Sequence, residues 1–240
     1  MEKTEKFNKW FNAFILIGMT VVTCVVTALK LADADSGRLL LIIAAFGSLM
    51  GVLSTVCSAN GRILTFLFGF IDVTIYGVMC LTSGKYGNAA MHLLYFLPMQ
   101  LVGFLQWRKR GAEGKEQVKA RRLDGRKWLI FGSVFLAGLV AAYFILSALD
   151  KTEAAGVIRW LVLMDAVSMM CNILGQLLLS TAYMEQWFFW IGVNVASVAM
   201  WILTLRQSPD SSYALIYVVK YSFYLLNSLN GLRIWMRLSR

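Results

Sequence analysis

The sequence predicts an all-α integral membrane protein: two parallel three-helix bundles joined by a linker helix, a 3+1+3 order, with one extra helix at the N-terminus. Three observations predict it. First, the 240-residue chain is 59% hydrophobic and 15% charged, with a mean hydropathy of +0.66, which is too apolar for a soluble domain. Second, cutting it at charges and loop residues leaves eight apolar segments: 11–31, 39–58, 63–82, 89–107, 128–149, 157–181, 187–205 and 213–235. Each has roughly 20 residues, the length that crosses a ~30 Å hydrocarbon core as a helix. Third, the chain repeats itself. Short alternating strands are absent from the pattern, which excludes a membrane β-barrel.

In chain order, residues 1–38 hold the extra N-terminal transmembrane helix. Lys3, Lys6 and Lys9 precede its apolar core, and Ala32-Asp33-Ala34 resembles a small-residue cleavage site, but the core exceeds the 7–15 residues of a secretory signal and reads as a retained helix. Residues 39–107 form the first bundle, 108–156 a basic cytoplasmic loop and the linker helix, and 157–240 the second bundle. The hydrophilic stretch 108–127 is too short to fold alone and reads as a juxtamembrane connector.

The repeat defines the bundles. Tyr95, Gly103 and Trp107 recur as Phe223, Gly231 and Trp235 at an offset of 128, and Phe68-Gly-Phe-Ile-Asp72 matches Trp190-Ile-Gly-Val-Asn194 at an offset of 122. The loop around Arg206–Ser212 absorbs the difference. Segments 39–58 and 157–181 stand four spans apart and so run in the same direction, which makes the repeats parallel.

Charge sets the orientation. Lys3, Lys6, Lys9, Arg62, the nine basic residues from Arg108 to Lys127, and Arg233, Arg237 and Arg240 fall on one side; Lys30, Arg38, Lys85, Lys151, Arg159 and Arg206 fall on the other. The positive-inside rule puts both termini in the cytoplasm. The net charge of +10 follows from this topology and suits a lipid bilayer with anionic headgroups; no nucleic-acid recognition motif accompanies it. Cys24, Cys57, Cys80 and Cys171 lie inside apolar segments without paired spacing and read as small core residues. No metal or cofactor is expected: His92 is the lone histidine, and there is no phosphate-binding loop, dinucleotide fingerprint or nucleophile elbow, so nothing marks an enzyme.

Polar side chains at membrane depth are where function is expected. Trp187, Trp190, Asn194 and Trp201 stand within about 60° of one another on a helix. Aromatic planes and an amide on one stripe suit a flat polar molecule better than lipid, and point to transport. Parallel repeats place such a site near the midplane, where the two halves meet. Asp72 and Asn194 occupy matching places, as do His92 and Lys220; Gln100, Asn227, Asn230, Asn172 and Gln176 add amides, and Asp165 lies in the outer third.

These residues resemble a family. Glu185-Gln-Trp-Phe-Phe-Trp-Ile-Gly-Val-Asn-Val-Ala-Ser-Val is similar to the Glu-Asn-Trp-x-x-Trp-x-x-x-Asn-Val-x-Ser signature of the PnuC family of vitamin transporters. Phe68-Gly-Phe-Ile-Asp-Val-Thr-Ile-Tyr-Gly fits its first-repeat pattern, with Asp72 where Asn is commoner; Leu97-Pro-Met-Gln-Leu-Val-Gly-Phe-Leu-Gln-Trp and Ser228-Leu-Asn-Gly-Leu-Arg-Ile-Trp fit too. The resemblance covers about 39–110 and 157–237 and omits the first helix. It implies a SWEET-like fold and facilitated diffusion of nicotinamide riboside across a bacterial inner membrane, with trapping by a cytoplasmic kinase that serves NAD biosynthesis. Relatives that carry thiamine or riboflavin keep the cargo open.

The residues fit such a cargo. A pyridinium cation over an indole face gains about 0.5–2 kcal/mol. Trp190 is the first candidate and Trp187 the second. Asn194, Gln100, Asn227 and Gln176 can donate to and accept from hydroxyls and a carboxamide. Asp72 can neutralise the cation, and Tyr76 of the first-repeat pattern joins the set. Thiamine, also an aromatic cation, satisfies the same description; riboflavin, neutral and larger, fits less well. Other roles stay open: Trp187 as an interfacial belt residue, Trp190 and Trp201 as core, Asp72 paired with Lys220 or His92, and Asn172 and Gln176 as interhelical hydrogen bonders. Glu185 is expected to cap its own helix, Asn230 to fix the Asn-Gly end of the last helix, and Pro98 to loosen its helix as a hinge or a static kink. Coupling to an ion through Asp72 or Asp165 is the second function class, and a membrane enzyme or scaffold the third. A homo-oligomer stays open.

Overall fold

The computed structural model describes residues 2–32, 38–114, 116–149, 157–207 and 212–240. Asp33, Ala34, Lys151 and the loop 208–211 invoked above lie outside them. Eight helical stretches follow among the described residues: α1 (Glu2–Ala32), α2 (Arg38–Ala59), α3 (Leu64–Thr82), α4 (Tyr86–Lys109), α5 (Gly125–Leu149), α6 (Val157–Ser180), α7 (Gln186–Gln207) and α8 (Ser212–Leu238). Seven are long and apolar enough to cross a membrane. The expected eighth span, α8, has the length at 27 residues but is not among the seven. Lys220, Asn227 and Asn230, the polar residues that make it interesting, dilute its apolar character.

α4 is not one regular helix. Met91–Phe96 is wound as a π-helix, directly ahead of Leu97-Pro98. Proline has no N–H, and its ring presses on the carbonyl four residues back; the wide turn accommodates both. Pro98 therefore shapes its helix through a defined wide turn.

The chain divides into two compact units, 1–119 with 180–182, and 120–179 with 183–240. In the first unit α1 packs on α2 and α2 on α3. α1 buries one stripe, Ile15, Met19 and Thr23, at helical spacing. Its Asn12 amide exchanges hydrogen bonds of 3.0 and 3.1 Å with Asn60. The extra helix is thus docked by an amide pair in surroundings that offer few other partners. α2 and α3 are tied by Ser54 and Thr65, whose hydroxyls donate to each other's carbonyls at 2.8 and 3.0 Å.

In the second unit α5 packs on α6 through Ala142, Ala166 and Met170. α5 is started by Asp124, whose carboxylate accepts the Lys127 N–H at 2.8 Å, the bond of a helix N-cap. The Lys127 ammonium, hydrogen-bonded 2.8 Å from the same carboxylate, holds Asp124 below the usual carboxylate range.

Among its described residues the connector carries no helix in its middle, yet it is pinned. In the first unit Val118 N–H donates to Gly61 at 3.0 Å, and Lys119 N–H to Arg110 at 3.1 Å. In the second, Ala120 N–H donates to Leu238 at 3.2 Å, and Met184 N–H to Arg121 at 2.9 Å. Gly61 (φ 65°) and Ala182 (φ 60°) both close the preceding helix in the left-handed conformation, each followed by a bond back to the fifth residue before. The strap thus pins the loops after α2 and after α6, which close alike.

Candidate functional site

Both units contain the same packing device. In the first, a Phe66 ring edge meets Trp107 (4.9 Å, 85°) beneath Gly103. In the second, Trp187 meets Trp235 (6.2 Å, 66°) beneath Gly231. The glycines are there for close approach: a Cβ at Gly231 would lie 2.5–2.6 Å from three Trp187 ring atoms. The Gly103/Trp107 and Gly231/Trp235 correspondence read from sequence is therefore a correspondence of packing. Trp187, 2% exposed, serves this contact and is no belt residue.

From that contact the antiparallel pair α7–α8 carries a ladder of cross-helix rungs. Asn194 Nδ2 donates to Ser228 Oγ at 2.9 Å, and Ser228 Oγ donates to the Tyr224 carbonyl at 2.9 Å. One turn further, Tyr221 is hydrogen-bonded to Ser197. At the far end Trp201 and Tyr217 stack at 4.3 Å and 11°. Trp187 to Trp201 covers about 21 Å of helix axis, most of a hydrocarbon core. Asn194, Ser197, Asn227, Ser228 and Asn230 are all buried. Every one is a neutral amide or hydroxyl.

Trp190 stands beside the ladder. Its indole lies flat on Gly175 of α6: a Cβ there would be 3.2–3.3 Å from three ring atoms. Its Nε1 donates to Gln186 Oε1 at 3.4 Å, one turn back. One face is thus covered by backbone and one edge is held, while the side chain is only partly buried. Gln176, 5% exposed, follows Gly175 on the same helix. Trp190, Asn194, Gln176, Asn227 and Trp187 all belong to the second unit. Gln186 was missed by sequence reasoning; its place four residues before Trp190 was the available signal.

The first unit holds the other candidates. The Asp72 carboxylate lies against Gly51 of α2, with Oδ2 2.7 Å from where a Cβ would sit. Gln100, 5% exposed, fills the space left by Gly69, 2.6 Å from its Cβ position, and donates to the Phe96 carbonyl at 3.3 Å. Tyr76 is 46% exposed, and its ring centre lies 4.5 Å from that of His92. His92 turns its Nδ1 to the Asn88 carbonyl at 2.8 Å rather than to Asp72.

Three expectations are corrected. Glu185 does not cap its own helix; its Oε1 accepts the Leu123 N–H at 3.0 Å and latches the strap, because that N–H comes from an extended segment with no partner of its own. Asn230 does not end α8, which runs on to Leu238; its Oδ1 takes Arg233 Nη2 at 2.7 Å and Nε at 3.2 Å. Asn172 donates within α6, to Ser168, instead of to a neighbouring helix.

Comparison with known proteins places this arrangement. A family model described as nicotinamide mononucleotide transporter matches residues 41–237. The nicotinamide riboside transporter PnuC of Neisseria mucosa is 32% identical over 98% of this chain and 85% of its own length, so the likeness takes in α1 as well. The protein of the same name from Haemophilus influenzae is 28% identical over 82% of this chain and 80% of its own. The crystal structure of the vitamin B3 transporter PnuC is similar over 95% of this chain and 91% of that one, with a TM-score of 0.68 and 30% identity. The resemblance carried by the Glu185–Val198 and Phe68–Gly77 motifs thus holds across the chain, and the protein belongs to the nicotinamide mononucleotide transporter family.

Proposed function

We propose that this chain carries nicotinamide riboside across a bacterial inner membrane by facilitated diffusion, leaving the cargo chemically unchanged. A cytoplasmic kinase then adds a phosphate, and the charged product stays inside. Both termini lie in the cytoplasm, the side on which sixteen basic residues fall against six opposite. The helix order of one, three, one and three is read as a SWEET-like 3+1+3 fold with an added first helix.

One observation carries the cargo assignment: the neutral amide and hydroxyl ladder of α7–α8 beside the Trp190 face. An indole face attracts the pyridinium, and amides and hydroxyls match a ribose and a carboxamide. A mononucleotide brings a phosphate, whose usual partners are arginine or lysine. The buried amide and hydroxyl rungs supply neither; the Arg233 guanidinium is held by Asn230, and the Lys220 ammonium lies against the Tyr217 and Tyr224 rings. The names of the relatives support the riboside too.

Calorimetry on one purified sample with nicotinamide riboside, the mononucleotide, thiamine and riboflavin tests this. Binding of the riboside alone is expected; tighter binding of thiamine or of the mononucleotide refutes it. In vesicles without kinase the riboside should equilibrate. Accumulation driven by a proton or sodium gradient would instead favour an ion-coupled mechanism through Asp72 or Asp165.

A further inference from the structure

The far end of the α7–α8 pair holds a second aromatic arrangement, about 16 Å along the helix from Trp190. Tyr217, Lys220, Tyr221 and Tyr224 share one face of α8, and Trp201 of α7 stacks on Tyr217. The Lys220 ammonium lies 5.8 Å from the Tyr217 ring centre and 5.9 Å from that of Tyr224, within the range of a cation–π contact with each. Tyr221 and Tyr224 are 6.1 Å apart. The Trp201 indole N–H is buried and has no hydrogen-bond partner among the described residues. An ammonium inside a spanning segment is costly unless something replaces its water, and here two phenol faces contribute to that.

We propose that Trp201, Tyr217, Tyr221 and Tyr224 form a separate docking site for a flat organic cation, and that Lys220 is a tethered cation occupying it in the ligand-free protein. An incoming pyridinium displaces the ammonium from the tyrosine faces. A carboxamide oxygen on that ring can accept the Trp201 N–H, which distinguishes a nicotinamide cation from a plain ammonium. The cargo then meets one aromatic cation site before or after the Trp190 site, and Lys220 lowers the affinity of that stop so that the cation does not lodge there. This deepens the cargo assignment above and rests on it for the identity of the natural ligand. The docking chemistry itself rests on α7 and α8 alone.

The test uses 1-methylnicotinamide, a pyridinium with the carboxamide and no sugar, on the full chain carrying Trp190→Ala, so that the Trp190 face does not contribute. Neutral nicotinamide is the control. Adding Lys220→Gln or Lys220→Met is expected to tighten 1-methylnicotinamide binding roughly threefold to tenfold, the gain of freeing the aromatic faces from a competing cation. Nicotinamide binding should not change, and Tyr217→Leu should abolish the gain. Unchanged or weaker cation binding in the folded lysine variants overturns the proposal. If neither lysine variant folds, Trp201→Phe decides: the fluorescence quenching that 1-methylnicotinamide produces should disappear, and its persistence overturns the proposal. Nicotinamide riboside on the wild-type chain is run in parallel. Its failure to bind rejects the cargo assignment whatever Lys220 does, whereas riboside binding without any lysine effect rejects the second site alone.

Discussion

Replacing Gly231 with alanine puts one methyl group where the structure has no room for it. The new Cβ would stand 2.5–2.6 Å from three carbons of the Trp187 ring. Ordinary carbon–carbon contact is about 3.5–4.0 Å, so roughly 1 Å must be found. The ring cannot step aside: Trp187 is 2% exposed, and Trp235, itself 0% exposed, braces it from the next turn of α8. Overpacking of a rigid core contact costs about 1–3 kcal/mol, and a planar ring held on two sides argues for the upper end. Alanine returns about 1 kcal/mol through helix propensity. A net loss of about 2 kcal/mol follows. The assay is reversible unfolding in mixed micelles, with Trp187→Phe and the double variant alongside. Trp187→Phe alone should lose stability through the space it leaves. The double variant should lose at least about 1 kcal/mol less than the two single losses together, because the added methyl and the smaller ring are complementary. Wild-type stability of Gly231→Ala, or strict additivity, would show that the glycine is not there for Trp187 and would undo the packing account of the repeat.

The remaining predictions concern the site and the strap. Trp190→Ala and Asn194→Ala should each abolish measurable riboside binding in calorimetry while the protein is still produced and folded; wild-type affinity in both rejects the site. Asp72→Asn, which installs the commoner family residue, should weaken binding of the cationic riboside severalfold and leave neutral analogues unaffected, and an equal effect on both would show that the charge is not what matters. Glu185→Ala removes the acceptor of the Leu123 N–H, a bond to a charged group worth about 1.5–3 kcal/mol. Trypsin should then cut faster at Arg121 and Arg122, whereas Glu185→Gln, which keeps an acceptor, should stay protected. Equal protection of all three proteins would mean that the strap is held elsewhere.

The helices were legible because hydrocarbon leaves a chain few options: every backbone polar group must be satisfied internally. The apolar segments 39–58, 63–82 and 187–205 emerge as Arg38–Ala59, Leu64–Thr82 and Gln186–Gln207. Ends were less legible. α1 starts at Glu2 and not near residue 11, since a helix does not stop where its side chains become polar, and Phe7 stacks on Phe11 at 5.7 Å along that added stretch. Among candidate residues, Asn194 and Trp190 were proposed from spacing on one helix. Tyr76 joined the set through the first-repeat pattern; in the fold it is 46% exposed and its ring lies against His92, a placement that the pattern does not encode. Glu185 and Asn230 were misread for one reason. A short polar side chain near a helix end or beside a glycine has local partners to offer, and only folding shows whether a partner from another segment comes closer.

Composition, segment length and the duplicated Gly-x-x-x-Trp ends, Gly103 to Trp107 and Gly231 to Trp235, were enough to establish an all-helical membrane protein with a repeated unit. These are properties of single helices in lipid, set by the backbone's need for partners and by the width of the hydrocarbon layer. Which side chains meet across helices was decided only in three dimensions. Trp187 goes under Gly231, Trp190 onto Gly175, Asn194 to Ser228 and the Lys220 ammonium to two tyrosine faces. Periodicity along one helix specifies a face. It carries no information on the axial register and rotation of the partner, and these follow from where small residues let two backbones approach.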